Sequence, residues 1–147
     1  MLQPVRVGHV VLKVRDLDRS LVFYRDLLGF RVASEMSNVM IFLTATGENH
    51  HDLALLRVGD AAPSPVPTSV GLYHVAIQLH DWGAVKRAHA LLSERGLLRG
   101  SADHGVSRSL YTADPDGNEI ELYCDAPRDE WEGRVDRVMT VRPLALD

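Results

Sequence analysis

Gly8-His9-Val10-Val11-Leu12-Lys13-Val14 returns later in the chain as Tyr73-His74-Val75-Ala76-Ile77-Gln78-Leu79. The first copy is rich in valine and reads as a strand, and the second copy matches it. His9, Val11 and Lys13 fall on one face; Val10, Leu12 and Val14 fall on the other. An aspartate follows each histidine seven positions on, Asp16 and Asp81, and each opens a helical pattern. Asp16 or Asp18 in the first copy, and Asp81 in the second, can cap the helix, since a short carboxylate accepts from the free amides of the first turn. The chain therefore reads as two copies of one module, with a histidine kept in register in both.

Outward from the first copy, a strand over 6–14 leads into a helix in which Leu17, Leu21, Tyr24 and Leu28 recur at helical spacing, with Gly29 as the stop. Strands over 30–36, 39–45 and 51–58 complete a β-α-β-β-β unit. From 59 to 69, three prolines among small and polar residues mark an exposed linker. In the second module a strand over 71–79 precedes a helix with Trp82, Val85, His89 and Leu92 on one face, ended by Gly96. Strands over 97–103, 107–113 and 118–124 follow. The fold class is α+β, one domain over 1–147: module one about 5–58, linker 59–69, module two about 70–124 and a tail over 125–147. The tail gives no clear pattern.

The second module ends in Asp114-Pro115-Asp116-Gly117-Asn118-Glu119-Ile120-Glu121-Leu122-Tyr123, which places Glu121 among aliphatics inside a strand. An ionised carboxylate there is costly unless paired or bound to a cation. Two strand histidines and one strand carboxylate form the ligand set of a non-haem iron or related divalent centre, so His9, His74 and Glu121 are expected to bind a metal. The competing reading pairs Glu121 with an arginine and lets the histidines merely pack. Gly47 precedes His51 as Gly117 precedes Glu121, which suggests that His51 holds the place of Glu121 in module one. His51 is then a fourth ligand, a proton-transfer group, or a strand-start residue without a role. His50 should face the other way. His80 and His89 read as structural, and His104 sits in a turn, Asp103-His104-Gly105-Val106.

Composition bounds the function. A chain of 147 residues with 46% hydrophobic and 24% charged residues is an ordinary globular domain. The net charge of −4 and the lack of a basic stripe argue against nucleic-acid binding. The single cysteine, Cys124, suits a reducing compartment. No apolar run of signal-peptide or membrane-spanning length appears, so a cytoplasmic protein without a membrane partner is expected.

The residues resemble the vicinal oxygen chelate superfamily of glyoxalases, fosfomycin thiol transferases, bleomycin-binding proteins and type I extradiol dioxygenases. That resemblance, over about residues 5–125, implies paired β-α-β-β-β modules forming an incomplete barrel around a metal. Within the superfamily, His51-Asp52-Leu53-Ala54-Leu55, His104-Gly105-Val106-Ser107-Arg108-Ser109-Leu110-Tyr111 and the Asp114–Glu121 segment look like the catechol 2,3-dioxygenase type. The resemblance implies Fe(II), with Mn(II) also accepted, held by His9, His74 and Glu121. It implies His51 as acid–base catalyst, and His104 and Tyr111 as substrate-pocket residues donating hydrogen bonds to substrate oxygens. The partners it implies are a small catechol-type aromatic and O2. Many extradiol enzymes carry an additional, metal-free pair of modules, and this chain has one pair. Superfamily members often form homodimers, and the proline linker would permit module exchange. The rival readings are a glyoxalase-like isomerase, whose usual fourth ligand is a carboxylate, a metal-dependent thiol transferase using the same ligands, and a metal-free drug-binding protein.

Overall fold

The computed structural model describes residues 1–146. The chain divides into two compact units. The first is Met1–Ser69 together with Asp114–Asn118; the second is Val70–Ala113 together with the chain from Glu119 onward. The proline linker thus groups with the first module, and so does the Asp114–Asn118 turn.

In the first unit the elements are β1 (Val10–Val14), α1 (Leu17–Leu21) running into a π-helical turn (Val22–Leu27), β2 (Arg31–Met36), β3 (Met40–Thr44) and β4 (Leu53–Arg57). The sheet order is β1-β4-β3-β2. β1 and β4 are parallel, and the other pairs are antiparallel. Asp16 caps α1, its carboxylate accepting from Arg19 N at 2.7 Å. The expected single helix is replaced by a wider turn: Leu28 N bonds to Phe23 O, five residues back, at 3.0 Å. Phe23 and Tyr24 on this turn are buried. Leu12 and Val14 of β1, Leu17 and Leu21 of α1, and Leu53 and Leu55 of β4 are buried. Fully burying such side chains contributes about 1.5–3 kcal/mol each.

The second unit repeats the plan. It contains β5 (His74–Gln78), α2 (Trp82–Glu94), β6 (Gly100–Asp103), β7 (Ser107–Ala113) and β8 (Glu119–Asp125), in sheet order β5-β8-β7-β6. Asp81 caps α2 through Ala84 N at 2.7 Å. The helix packs on β7 and β8, with Val85 and Leu92 buried against a layer that includes Leu110, Ile120, Leu122 and Cys124. Two short helical turns follow, α3 (Arg128–Trp131) and α4 (Val135–Val138). The tail, which showed no pattern in sequence, then pairs Arg142 with Asp103. Neither four-stranded sheet closes on itself. Among the described residues no helix is long and apolar enough to cross a membrane.

The shared topology supports the repeat but shifts one equivalence. Val10 pairs with Leu53 in the first module, and His74 pairs with Glu119 in the second. With His9 matched to His74, the first-module counterpart of Glu121 is Ala54, not His51. Equal spacing from a glycine misleads because the loop before β4 is longer. Asp52 holds that loop folded, accepting from Ala45 N at 2.8 Å, Thr44 Oγ1 at 3.2 Å and Asn49 Nδ2 at 2.6 Å. His9 and His51 consequently lie just outside strands β1 and β4 rather than within them.

Candidate metal centre

Strand alternation puts Glu119, Glu121 and Tyr123 on one face of β8, and Ile120, Leu122 and Cys124 on the other. The parallel register sets His74 beside Glu119 and Ala76 beside Glu121. The antiparallel register sets Tyr111 of β7 across from Glu121. His74, Glu119, Glu121 and Tyr111 therefore share a face by backbone geometry alone. His74 Nε2 lies 3.0 Å from Glu121 Oε2, and the Glu121 side chain is 11% exposed. Its partner is this histidine, not an arginine. The other nitrogen, His74 Nδ1, is buried without a hydrogen-bond partner; the nearby carboxylate oxygen is Glu119 Oε1, at 3.5 Å.

Tyr111 connects this pair to His104. The rings of His74 and Tyr111 are 6.2 Å apart. The Tyr111 hydroxyl lies 2.7 Å from His104 Nε2, and His104 Nδ1 lies 3.1 Å from Thr140 O. Burial first, then the Glu121 charge, pushes the Tyr111 phenol above its ordinary value. It stays protonated at neutral pH.

The first module contributes a separate cluster of imidazoles. The His9 and His51 rings are 4.3 Å apart, and those of His50 and His51 are 4.4 Å apart. His50 Nδ1 and His51 Nδ1 are 2.6 Å apart, so one donates to the other. His50 does not face away as alternation predicts, because both residues precede the strand. Partial burial, then the neighbouring His9 and His50, lowers the His51 pKa. Burial alone would raise Asp52, but its bonds from Ala45, Asn49 and Thr44 prevail and hold it below the usual carboxylate value.

The donor chemistry fits a divalent ion. Two ligand atoms each about 2.1 Å from one ion and at right angles stand about 3.0 Å apart, the separation of His74 Nε2 and Glu121 Oε2. Among the described residues no three His, Cys, Asp or Glu side chains gather closely enough to hold an ion. The structure thus brings together His74, Glu121, Tyr111 and His104 in the second module, and His9 with His51 in the first. Sequence reasoning missed Glu119, although its spacing of two from Glu121 was the available signal. It also missed Thr140, whose contact is made by the backbone and leaves no mark in residue type. A cavity of about 420 Å³ in the first module, lined by Arg15, Asp116 and linker residues, contains none of these groups. There Arg15 ties down the linker, donating to Ala62 O at 2.8 Å and Ser64 Oγ at 2.9 Å.

Residues 6–122 match the family model described as Glyoxalase/Bleomycin resistance protein/Dioxygenase superfamily. The chain is 39% identical over 134 residues to the "Catechol-2,3-dioxygenase" of Bacillus subtilis (strain 168), an alignment covering 88% of this chain and 45% of that protein. It is 38% identical over 122 residues to the "Biphenyl-2,3-diol 1,2-dioxygenase 3" of Rhodococcus globerulus, covering 82% of this chain and 63% of that one. The chain therefore spans about half to two-thirds of the length of these relatives. Among solved structures, a glyoxalase/dioxygenase from Nostoc punctiforme superposes with a TM-score of 0.70 at 25% identity, covering 86% of this chain and 97% of that one.

Proposed function

From the premise that this chain belongs to the glyoxalase, bleomycin resistance protein and dioxygenase superfamily, we propose that it is an Fe(II)-dependent extradiol dioxygenase acting on a catechol-type diol and O2. The observation that carries this reading is the shared face of the second module. His74 and Glu121 donors stand 3.0 Å apart there, and Tyr111 lies across the ladder from Glu121. His9, His74 and Glu121 would hold the metal. When bound, Fe(II), or Mn(II) on the same donors, brings diol and O2 together and passes charge between them.

The rest is work for the protein. His51, beside His9, takes a proton from one diol hydroxyl and returns it later. Asp52 keeps the loop that presents His51 folded. Tyr111, held by His104 at 2.7 Å, orients the substrate by hydrogen bonding. Ala54, the first-module counterpart of Glu121, has no donor atom. Three protein ligands then leave positions for a chelating diol, which weighs against the isomerase reading with its fourth carboxylate ligand. The metal-free binding reading is weakened by the intact donors.

Anaerobic loading with Fe(II), metal analysis and a panel of substituted catechols test the proposal. A yellow ring-fission product is expected, with one metal per chain. Absence of ring cleavage across the panel by iron-loaded protein would remove the dioxygenase assignment.

A further inference from the structure

Residues 138–142 run beside the loop that carries His104. Arg142 N donates to Asp103 O at 2.9 Å, and Asp103 N donates to Arg142 O at 2.9 Å. Thr140 N donates to His104 O at 3.0 Å. The loop admits this segment because residue 105 has no side chain. Gly105 stands at φ +76°, and a Cβ there would overlap the Val138 carbonyl. The same segment reaches the imidazole, with Thr140 O 3.1 Å from His104 Nδ1.

A carbonyl oxygen only accepts, so His104 Nδ1 must carry the hydrogen in this contact. In a neutral imidazole the other nitrogen then holds a lone pair. That nitrogen, Nε2, is 2.7 Å from the Tyr111 hydroxyl, so the phenol donates to it. The single hydroxyl hydrogen of Tyr111 is committed, and its oxygen keeps lone pairs for whatever approaches. His104 has no hydrogen left to offer. With a neutral His104, neither group has a hydrogen to give to substrate, whereas the resemblance implies that both donate.

We propose that the backbone of residues 138–142 positions the substrate-binding pair, fixing His104 as the Nδ1–H tautomer and so making Tyr111 an acceptor for a substrate hydroxyl. Thr140 is a positioning residue, acting through His104 by its carbonyl and amide. The acceptor half of the inference rests on the function proposed above; the tautomer half does not. A diol that keeps one hydroxyl protonated meets an acceptor at Tyr111. A ligand offering only acceptor oxygens meets none of the hydrogen bonds it needs.

The test reads His104 directly, by 15N NMR of the imidazole in metal-free, full-length protein. The native spectrum should show Nδ1–H. Thr140→Ala keeps the backbone contacts and should leave the tautomer unchanged. Thr140→Pro deletes the amide that bonds His104 O, and Gly105→Ala crowds Val138. Each should move His104 toward Nε2–H, the form free imidazole side chains favour. With iron-loaded protein, Thr140→Pro should lower kcat/KM for a catechol about tenfold, the worth of one neutral hydrogen bond. A native Nε2–H tautomer, a native ring carrying both hydrogens, or an Nδ1–H tautomer that survives both Thr140→Pro and Gly105→Ala, would overturn the proposal. If Thr140→Pro does not fold, the native spectrum and Gly105→Ala still decide it. Native Nδ1–H without any ring cleavage would overturn the dioxygenase reading and the acceptor role of Tyr111, leaving the tail's hold on His104 supported.

Discussion

Asp114→Ala should be among the most destabilising single changes in the first module. Asp114 is 4% exposed, and its two oxygens accept four hydrogen bonds. Oδ1 takes Asp116 N at 2.9 Å and Asn118 N at 2.8 Å. Oδ2 takes the Tyr24 hydroxyl at 2.9 Å and Asn118 Nδ2 at 2.8 Å. These bonds close the Asp114-Pro115-Asp116-Gly117 turn, in which Gly117 adopts φ +92°. Asp116 in turn pairs with Arg15 at 2.9 Å and with Arg19. Burial, then the charge of Asp114, raises the Tyr24 phenol, so it remains a donor. Truncation strands two buried donors, Tyr24 Oη and Asp116 N, at about 1–3 kcal/mol each. The Asn118 groups are part-buried and recover water, so the total is about 3–5 kcal/mol. For a chain of this size that lowers Tm by roughly 6–20 °C. Urea unfolding followed by circular dichroism reads the change. Adding Tyr24→Phe removes the stranded hydroxyl, so the double variant should lose less than the sum of the two singles. A loss under about 1 kcal/mol in Asp114→Ala, or strict additivity, would refute the account. It would then be wrong to treat this turn as structural rather than chemical.

Three further outcomes follow from the site. His51→Ala should retain its metal while losing about 10²–10⁴-fold in catechol turnover; metal lost from that variant would make His51 a ligand. Glu119→Ala should weaken Mn(II) binding about 10–100-fold in calorimetric titration of the apoprotein, because its carboxylate, 3.5 Å from the unpartnered His74 Nδ1, is the group placed to accept that nitrogen's hydrogen when the other binds metal; unchanged affinity would dismiss Glu119. Asp52→Ala should destabilise the protein at neutral pH. Because the native Asp52 pKa is lowered, its contribution is present above the unfolded value of about 3.9 and is lost as pH falls through the native value. A difference from native protein that does not shrink at acid pH would contradict this.

Much of this arrangement was legible in the sequence. The strand over 107–113 was located to the residue, the cap at Asp81 formed as read, and of the two candidates Asp16 and Asp18 it is Asp16 that caps α1. The repeated histidine and the glutamate among aliphatics pointed to His74 and Glu121, which meet. Register was harder. The glycine spacing aligned His51 with Glu121, but tertiary pairing aligned Ala54. Loop length before a strand is set by side-chain bonds such as those of Asp52, and periodicity does not record them. The π-helical turn was hidden for a similar reason: Leu17, Leu21, Tyr24 and Leu28 fit an α-helical stripe, and one inserted residue leaves that stripe nearly intact. The role of the tail lies in backbone amides and carbonyls, which every residue type carries alike.

Cys124 gives the protein a built-in clock. It is the chain's single cysteine, 3% exposed on β8, and burial raises its thiol pKa. A thiol reagent modifies it only when that strand opens, so the labelling rate counts excursions of the strand that carries Glu121. No fluorophore or engineered site is needed. A ligand that binds only the closed strand slows labelling by the factor 1 + [L]/Kd. Affinity for a colourless metal or a slowly turned-over diol can thus be read as a delay in alkylation, on a protein whose sequence is otherwise untouched.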